Sequence, residues 1–177
     1  MQMTMKTEPE AQIWALPLAT PEGEFVAHYS RRGLCGLDFP SREERSERAT
    51  TTVPLPPGIR RWHALATEAL TRALSGQAPE SLPPLDPSSG TEFQRRVWRV
   101  LRKIRPGQTR SYADVARKVG NPKAVRAVGG ACGANPIPVF VPCHRVLAAN
   151  HRLGGFSGGL DWKRTLLARE GVKKTTR

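Results

Sequence analysis

No stretch of this 177-residue chain approaches the roughly 18 consecutive apolar residues that a membrane-spanning helix requires. The opening segment, MQMTMKTEPE, is polar and lacks the apolar core of a secretory signal. A membrane protein and a secreted one are both disfavoured on these grounds. Cysteine is scarce: Cys35, Cys132 and Cys143 make an odd set of 3 with no CxxC spacing. That excludes a disulfide framework and predicts free thiols in a reducing cytoplasm. His28 and His63 stand alone, without the clustering of metal ligands, so neither a metal nor another cofactor is expected.

Acidic residues are the most unevenly missing. Residues 1–90 carry 9 Lys and Arg against 11 Asp and Glu, whereas residues 91–177 carry 19 against 4. The whole excess of positive charge lies in the second half. A basic half points to a polyanionic partner, nucleic acid before an anionic membrane surface.

The stretch SGQAPESLPPLDPSSG, Ser75 to Gly90, holds four prolines and two glycines and reads as a linker. It divides the chain into a first domain at 1–76, a linker at 77–90 and a second domain at 91–177 that ends in a basic tail. QIWALPLAT, EFVAHYS and GLCGLDF are three strand candidates, with turns at Pro21–Gly23 and Arg31–Gly33. A charged, proline-rich stretch follows, and then RWHALATEALTRALSG, a helix stopped by Gly76. No catalytic constellation stands out in this half.

The second half reads as mostly helical. Thr91 with Gln94, and Ser111 with Asp114, each fit a capping box in which two free backbone N–H groups are satisfied reciprocally. Asn121 as N-cap and Pro122 at the first helical position predict a third helix running to Asn135. Two short helices joined at Gly120–Asn121 make a helix-turn-helix, which supports DNA as the partner. On the third helix Arg126, Gly129, Gly130 and Gly133 share one face. Each glycine costs about 1 kcal/mol relative to alanine. The face therefore serves either close packing on a neighbouring helix or close approach to an outside partner. A bare face with one arginine suits the minor groove better than base readout in the major groove.

After an apolar run the chain places VPCHRV, Val141 to Val146. A thiol reacts as its thiolate and needs a base or a positive charge nearby, and His144 and Arg145 supply one of each. On an extended chain adjacent side chains point to opposite sides, so His144 is expected to reach the sulfur through a water. A histidine base needs an orienting acceptor. Of the four acids in this half, Glu92, Asp114 and Asp161 fall in first helical turns. Glu170 falls in a last turn, where the helix dipole disfavours a carboxylate. It shares a face with Trp162 and Leu166. It is either the partner of His144 or a solvated frayed end.

From SYADVARKVGNPKAVRAVGGACGANPIPVFVPCHRVL to GGFSGGLDWKRTLLAREG, about residues 91–171, the chain resembles the C-terminal domain of O6-alkylguanine-DNA alkyltransferases. The first half resembles that family's N-terminal domain only loosely. The resemblance implies an α+β fold: an N-terminal α/β domain, ribonuclease H-like, with a small antiparallel sheet plus a helix, and a helical C-terminal domain with a winged-helix-like helix-turn-helix. It implies that Arg126 replaces a flipped nucleotide in the stack, with Lys123, Ala127, Gly129 and Gly130 beside it at the DNA. Tyr112 would help rotate the nucleotide and bond the base, and Asn135 would tie the recognition helix to the active-site loop. Cys143 would accept the alkyl group, His144 would be its water-relayed base and Glu170 the partner of His144. The Cys143 and Val146 carbonyls would bind the guanine amino group, the Ser157 backbone would meet the base oxygen, and Phe156, where some members have Tyr, would line the pocket.

The implied partner is duplex DNA carrying O6-alkylguanine. The implied protein is a monomer that uses no metal or other cofactor, with cooperative assembly on DNA left open. Relatives that replace the cysteine with Trp only bind lesions, and this chain keeps Cys143. Two rival classes stay open from the residues themselves. A DNA-binding regulator would leave Cys143 inert. A cysteine hydrolase would turn over repeatedly and would have no use for the Arg126 helix face.

Overall fold

The computed structural model describes residues 12–40 and 54–173. The charged stretch at 41–53, the polar start and the last four residues of the basic tail lie outside the described residues. The fold is mixed α and β, with a small antiparallel sheet and five α-helices among the described residues.

Strands β1 (Trp14–Thr20), β2 (Gly23–Ser30) and β3 (Gly33–Asp38) form an antiparallel meander in the order β1-β2-β3. Period-two alternation puts Trp14, Leu16 and Leu18 of β1 on the buried face, opposite Tyr29, Ala27 and Phe25 of β2. Helix α1 (Pro57–Leu74) buries Ile59, Ala66, Ala69, Leu70, Ala73 and Leu74. It begins a turn earlier than the expected start at Arg61. Pro57 can occupy a first helical position, where its missing N–H costs nothing and its φ is already helical. Gly76 ends the helix at φ +77°, and a Cβ there would lie 2.0 Å from the carbonyl oxygen of Arg169. The end of α1 therefore touches the far end of the chain.

The proline-rich stretch at 75–90 is tied to the sheet. Leu34 N–H donates to the Pro84 carbonyl and Asp86 N–H to the Leu34 carbonyl, each at 2.8 Å, and Leu34 and Leu85 form a parallel bridge. Ser30 Oγ donates to the nearly buried Asp86 at 2.5 Å. These bonds use the edge of β3 that would otherwise stay unpaired. One continuous apolar cluster runs from Trp14 in β1 through both halves to Leu166.

Helix α2 (Glu92–Leu101) opens with the Thr91–Gln94 capping box, and α3 (Tyr112–Lys118) with the Ser111–Asp114 box. Both were expected from the sequence. The two-residue strands β4 (Arg110–Ser111) and β5 (Val146–Leu147) pair in parallel and bring the start of α3 beside the PCHRV segment. Helix α4 (Val125–Gly133) begins later and ends earlier than expected. Asn121 is not its N-cap. Ala124 N–H donates back to the Asn121 carbonyl at 3.0 Å, so residues 121–124 form a turn with Pro122 at its second position. The fixed φ of proline suits that position as well as it suits a first helical one, so the local signal could not separate the two. Asn135 lies beyond α4, after the cap at Ala134.

Helix α5 (Leu160–Arg169) closes the fold. Its Arg169 donates to the Leu74 carbonyl at 2.8 Å and pairs with Glu22 at 2.7 Å, which fastens it to the first half. No helix among the described residues is long and apolar enough to cross a membrane.

Candidate active site

The segment before Cys143 is not extended. Val139 holds φ +72°, a costly conformation for a β-branched residue, and Cys143–Arg145 is a single 3₁₀ turn leading into β5. The expectation that Cys143 and His144 alternate along a strand is therefore corrected. Packing of Ile137, Val139, Phe140 and Val141 into the core overrides their strand propensity.

Cys143 is 3% exposed. Asn135, also buried, donates from Nδ2 to Sγ at 3.1 Å and to the Val141 carbonyl at 2.8 Å, while its Oδ1 accepts from Ile137 N–H at 3.1 Å. One amide thus holds the end of the glycine helix, the loop and the thiol in register. Burial pushes the Cys143 thiol above its ordinary range, and the Asn135 bond and the positive charge of Lys163 pull the other way.

His144 is buried, and its Nε2 lies 2.9 Å from Glu170 Oε1. Burial lowers its pKa, with Glu170 opposing, so the ring is neutral and Nε2 carries the proton that Glu170 accepts. Nδ1, the acceptor nitrogen of that tautomer, has no hydrogen-bond partner among the described residues. Glu170 caps the end of α5 with its side chain 3% exposed. Burial alone would raise its carboxyl, but hydrogen bonds from His144 and Arg145 hold it at about 2. Arg145 reaches both Glu170 oxygens, through Nε at 3.1 Å to each and Nη2 at 2.8 Å to Oε1, and Nη1 donates to the Ile104 carbonyl at 2.6 Å. The cation in the motif serves the carboxylate, and the carboxylate orients the imidazole.

Lys163 carries a role that sequence reasoning missed. It is fully buried, and its Nζ donates to the carbonyls of Val146 at 2.8 Å, Leu153, and Gly155 at 3.3 Å. Burial brings its pKa down to about 8, opposed by the two nearby thiols, Cys143 first and then Cys132. A signal was present: Lys163, Leu166, Leu167 and Glu170 fall at i, i+3, i+4 and i+7, so the lysine lies on the apolar stripe of α5. Val146, expected to offer its carbonyl to a base, already shares that oxygen with Lys163, and the Cys143 carbonyl accepts from Val146 N–H. A carbonyl oxygen has a second lone pair, so both retain acceptor capacity.

Tyr112 is half-buried at the start of α3, and its hydroxyl lies 2.9 Å from where a Cβ on Gly154 would sit. Burial, then Cys132 and Cys143, push its phenol up to about 12, so it stays a proton donor. Phe156 stands edge-on to His144, ring centroids 6.3 Å apart, and Ser157 beside it is exposed.

The structure brings Cys143, His144, Glu170, Asn135, Tyr112, Val146 and Phe156 into one region. It leaves Lys123 exposed in the turn before α4, and Arg126, Ala127 and Gly130 exposed on α4, with Gly129 half-buried. A Cβ at Gly129, Gly130 or Gly133 would meet nothing within 4 Å among the described residues. Close packing on a neighbouring helix among the described residues is therefore not the reason for these glycines. The opposite face of α4 holds Val128, Ala131 and Cys132 in the core, and Trp98 Nε1 donates to the Ala131 carbonyl at 2.8 Å.

The family model for the 6-O-methylguanine DNA methyltransferase DNA-binding domain matches residues 92–172. A methylated-DNA–protein-cysteine methyltransferase of Mycolicibacterium paratuberculosis is 52% identical over 110 residues, covering 62% of this chain and 66% of that protein. One from Methanosarcina acetivorans is 55% identical over 82 residues, covering 46% and 53%. The matched stretch thus spans between half and two-thirds of these curated relatives. Among solved structures, Mycobacterium tuberculosis OGT in complex with DNA superposes with a TM-score of 0.66 at 35% identity, covering 89% of this chain and 92% of that one. The Mycobacterium tuberculosis O6-methylguanine methyltransferase gives 0.70 at 32% identity, covering 94% and 97%.

Proposed function

The chain belongs to the O6-methylguanine-DNA methyltransferase family, and from that premise we propose that it repairs O6-alkylguanine in duplex DNA by moving the alkyl group irreversibly to Cys143. The observation that carries this reading is the buried relay Asn135–Cys143 and His144–Glu170–Arg145, with a neutral imidazole whose Nδ1 is free to take a proton.

An alkylated base inside a duplex must be extruded, at a cost of a few kcal/mol. Contacts from the basic half to phosphates offset that cost, and Arg126 fills the vacated stack. The Cys143 proton passes through a water to His144 Nδ1, and Glu170 steadies the imidazolium, itself balanced by Arg145. The thiolate attacks the alkyl carbon in line. The S–C bond forms as the C–O6 bond breaks, and its electrons move onto guanine, where the Tyr112 hydroxyl donates to the base. The Cys143 and Val146 carbonyls hold the guanine amino group, and the Ser157 backbone meets O6. Asn135 joins recognition helix to active-site loop, and Lys123, Ala127, Gly129 and Gly130 lie at the DNA.

The product is a thioether, a poor leaving group, so each molecule reacts once. The reading also carries a ribonuclease H-like first domain at 1–76, a linker at 77–90 and a winged-helix-like module within 91–177. The three-stranded sheet with α1 supports the first of these and the α3–α4 pair the last, whereas the linker stretch is itself tied to β3. It further implies a monomer acting in the cytoplasm, in keeping with three free thiols.

Mass spectrometry after incubation with a duplex containing O6-methylguanine tests the proposal. One added methylene is expected on the peptide holding Cys143, with uptake reaching a plateau near one group per molecule. Cys143→Ser should take up none and still bind DNA. Methyl on Cys132, or continued turnover with excess lesion, would overturn the assignment. Binding without transfer would leave the regulator reading.

A further inference from the structure

Phe39 lies just beyond β3, in the half of the chain that holds none of the reactive groups. Its ring meets Phe156 edge-on, with centroids 5.5 Å apart and planes at 74°, and Phe156 in turn stands edge-on to His144. On its other sides Phe39 packs against Trp162 of α5 at 5.1 Å and Phe25 of β2 at 5.3 Å. It also lies directly on Gly158: a Cβ there would come within 2.6 Å of Phe39 Cδ2 and Cε2. The segment from Leu153 to Gly159 has no regular structure and contains Gly154, Gly155, Gly158 and Gly159. Such a segment does not hold its own shape. Lys163 anchors its beginning through the Leu153 and Gly155 carbonyls. Phe39 meets its second part, at Phe156 and Gly158.

We propose that Phe39 is a specificity-determining positioning residue, wedged against Phe156 and Gly158 so that the first half of the chain fixes the wall of the pocket that receives the alkyl group. The inference rests on the alkyl-transfer reading above. The Phe39 ring is immobilised by Phe25 and Trp162, so Phe156 cannot retreat from His144. Pocket width, and with it the ranking of small and bulky alkyl groups, is set by a residue that touches neither thiol nor base. Removing the ring frees the wall. Methyl transfer then loses its positioning, and a bulky group gains room.

The test compares second-order rates of alkylation by free O6-methylguanine and free O6-benzylguanine in the full chain, its Phe39→Ala and Phe39→Leu variants, and Phe39→Tyr, which keeps the ring. The benzyl-to-methyl rate ratio should rise on the order of tenfold in Phe39→Ala, the scale on which pocket contacts discriminate groups of different size. It should rise by less in Phe39→Leu and stay near the parent value in Phe39→Tyr. A general loss of stability would lower both rates alike and leave the ratio unmoved. If Phe39→Ala does not fold, Phe39→Leu decides. A ratio unchanged in the folded variants, in a protein whose Cys143 still accepts methyl, would overturn the inference. Absence of transfer in the parent chain would instead overturn the reading on which it rests.

Discussion

The exposed face of α4 and the buried surroundings of Cys143 solve opposite problems. On α4 a single arginine stands among glycines at which an added Cβ would meet no other group among the described residues, and glycine in a helix costs stability relative to alanine. Around Cys143 polar and charged groups are buried, and Asn135, His144, Arg145, Lys163 and Glu170 each have named partners. A surface shaped for an outside partner would give up helix stability, whereas a buried reactive centre must pair its charges before any substrate arrives, and here only His144 Nδ1 is left open among the described residues of that centre. Under the proposed function, the difference separates groups that would act on DNA from groups that would act on the thiol.

The comparison can be broken most strongly at Arg126. Arg126→Ala should slow transfer from duplex DNA by roughly a hundredfold or more, the rate equivalent of a few kcal/mol of lost help in extrusion. Alkylation by free O6-benzylguanine, which needs no extrusion, should hardly change. Arg126→Lys should rescue only part of the loss, since it keeps the charge but not the planar stacking surface. Equal losses in both reactions would place Arg126 with the thiol groups and erase the distinction.

A smaller effect is expected on the buried side. Lys163→Met keeps much of the side-chain volume but leaves the Val146, Leu153 and Gly155 carbonyls without their shared donor, at a cost of about 1–3 kcal/mol. Denaturant unfolding should show that loss, and free-base and duplex reactions should fall together, unlike in Arg126→Ala.

Acid sharpens the same point. The buried His144 is held below 6.5 and Glu170 is held at about 2 against an ordinary 4.5. In both cases the unfolded chain binds protons that the folded one does not, so stability is present at neutral pH and lost as pH falls. The loss should begin below about 6.5 with His144 and continue from 4.5 toward 2 with Glu170. Melting temperature across this range checks it. Glu170→Gln should flatten the lower part of the curve, and a curve of unchanged shape would remove Glu170 from the account.

The smallest effect has the most pointed sign. Gly130→Ala adds a methyl group that meets nothing within 4 Å among the described residues. The free protein should gain up to about 1 kcal/mol in stability. Affinity for duplex DNA should fall, because the added group stands where the backbone must approach. Gel-shift titration beside thermal melting reads both. Unchanged affinity would mean that this face does not meet DNA.

Local signals in the sequence were enough for a good part of this protein. The Thr91–Gln94 and Ser111–Asp114 boxes, the turns of the meander and the stop at Gly76 each depend on residues within a turn of one another, so they could be read directly. The arginine and glycines on one face of α4 needed only the helical period, and the oddity of Glu170 needed only its place at the wrong end of α5. Pro122 misled because a proline at the second position of a turn and one at the start of a helix look the same locally. What only the tertiary structure decided are contacts between distant segments. His144 and Glu170 are 26 positions apart, and Arg145 and the Ile104 carbonyl 41. Phe39 reaches Phe156 from the other half of the chain. The 3₁₀ turn at Cys143, the buried ammonium of Lys163 and the tethering of the proline-rich stretch to β3 belong with these. Each depends on the shared core, because only burial there makes an unpartnered charge or carbonyl costly enough to dictate where the chain must lie.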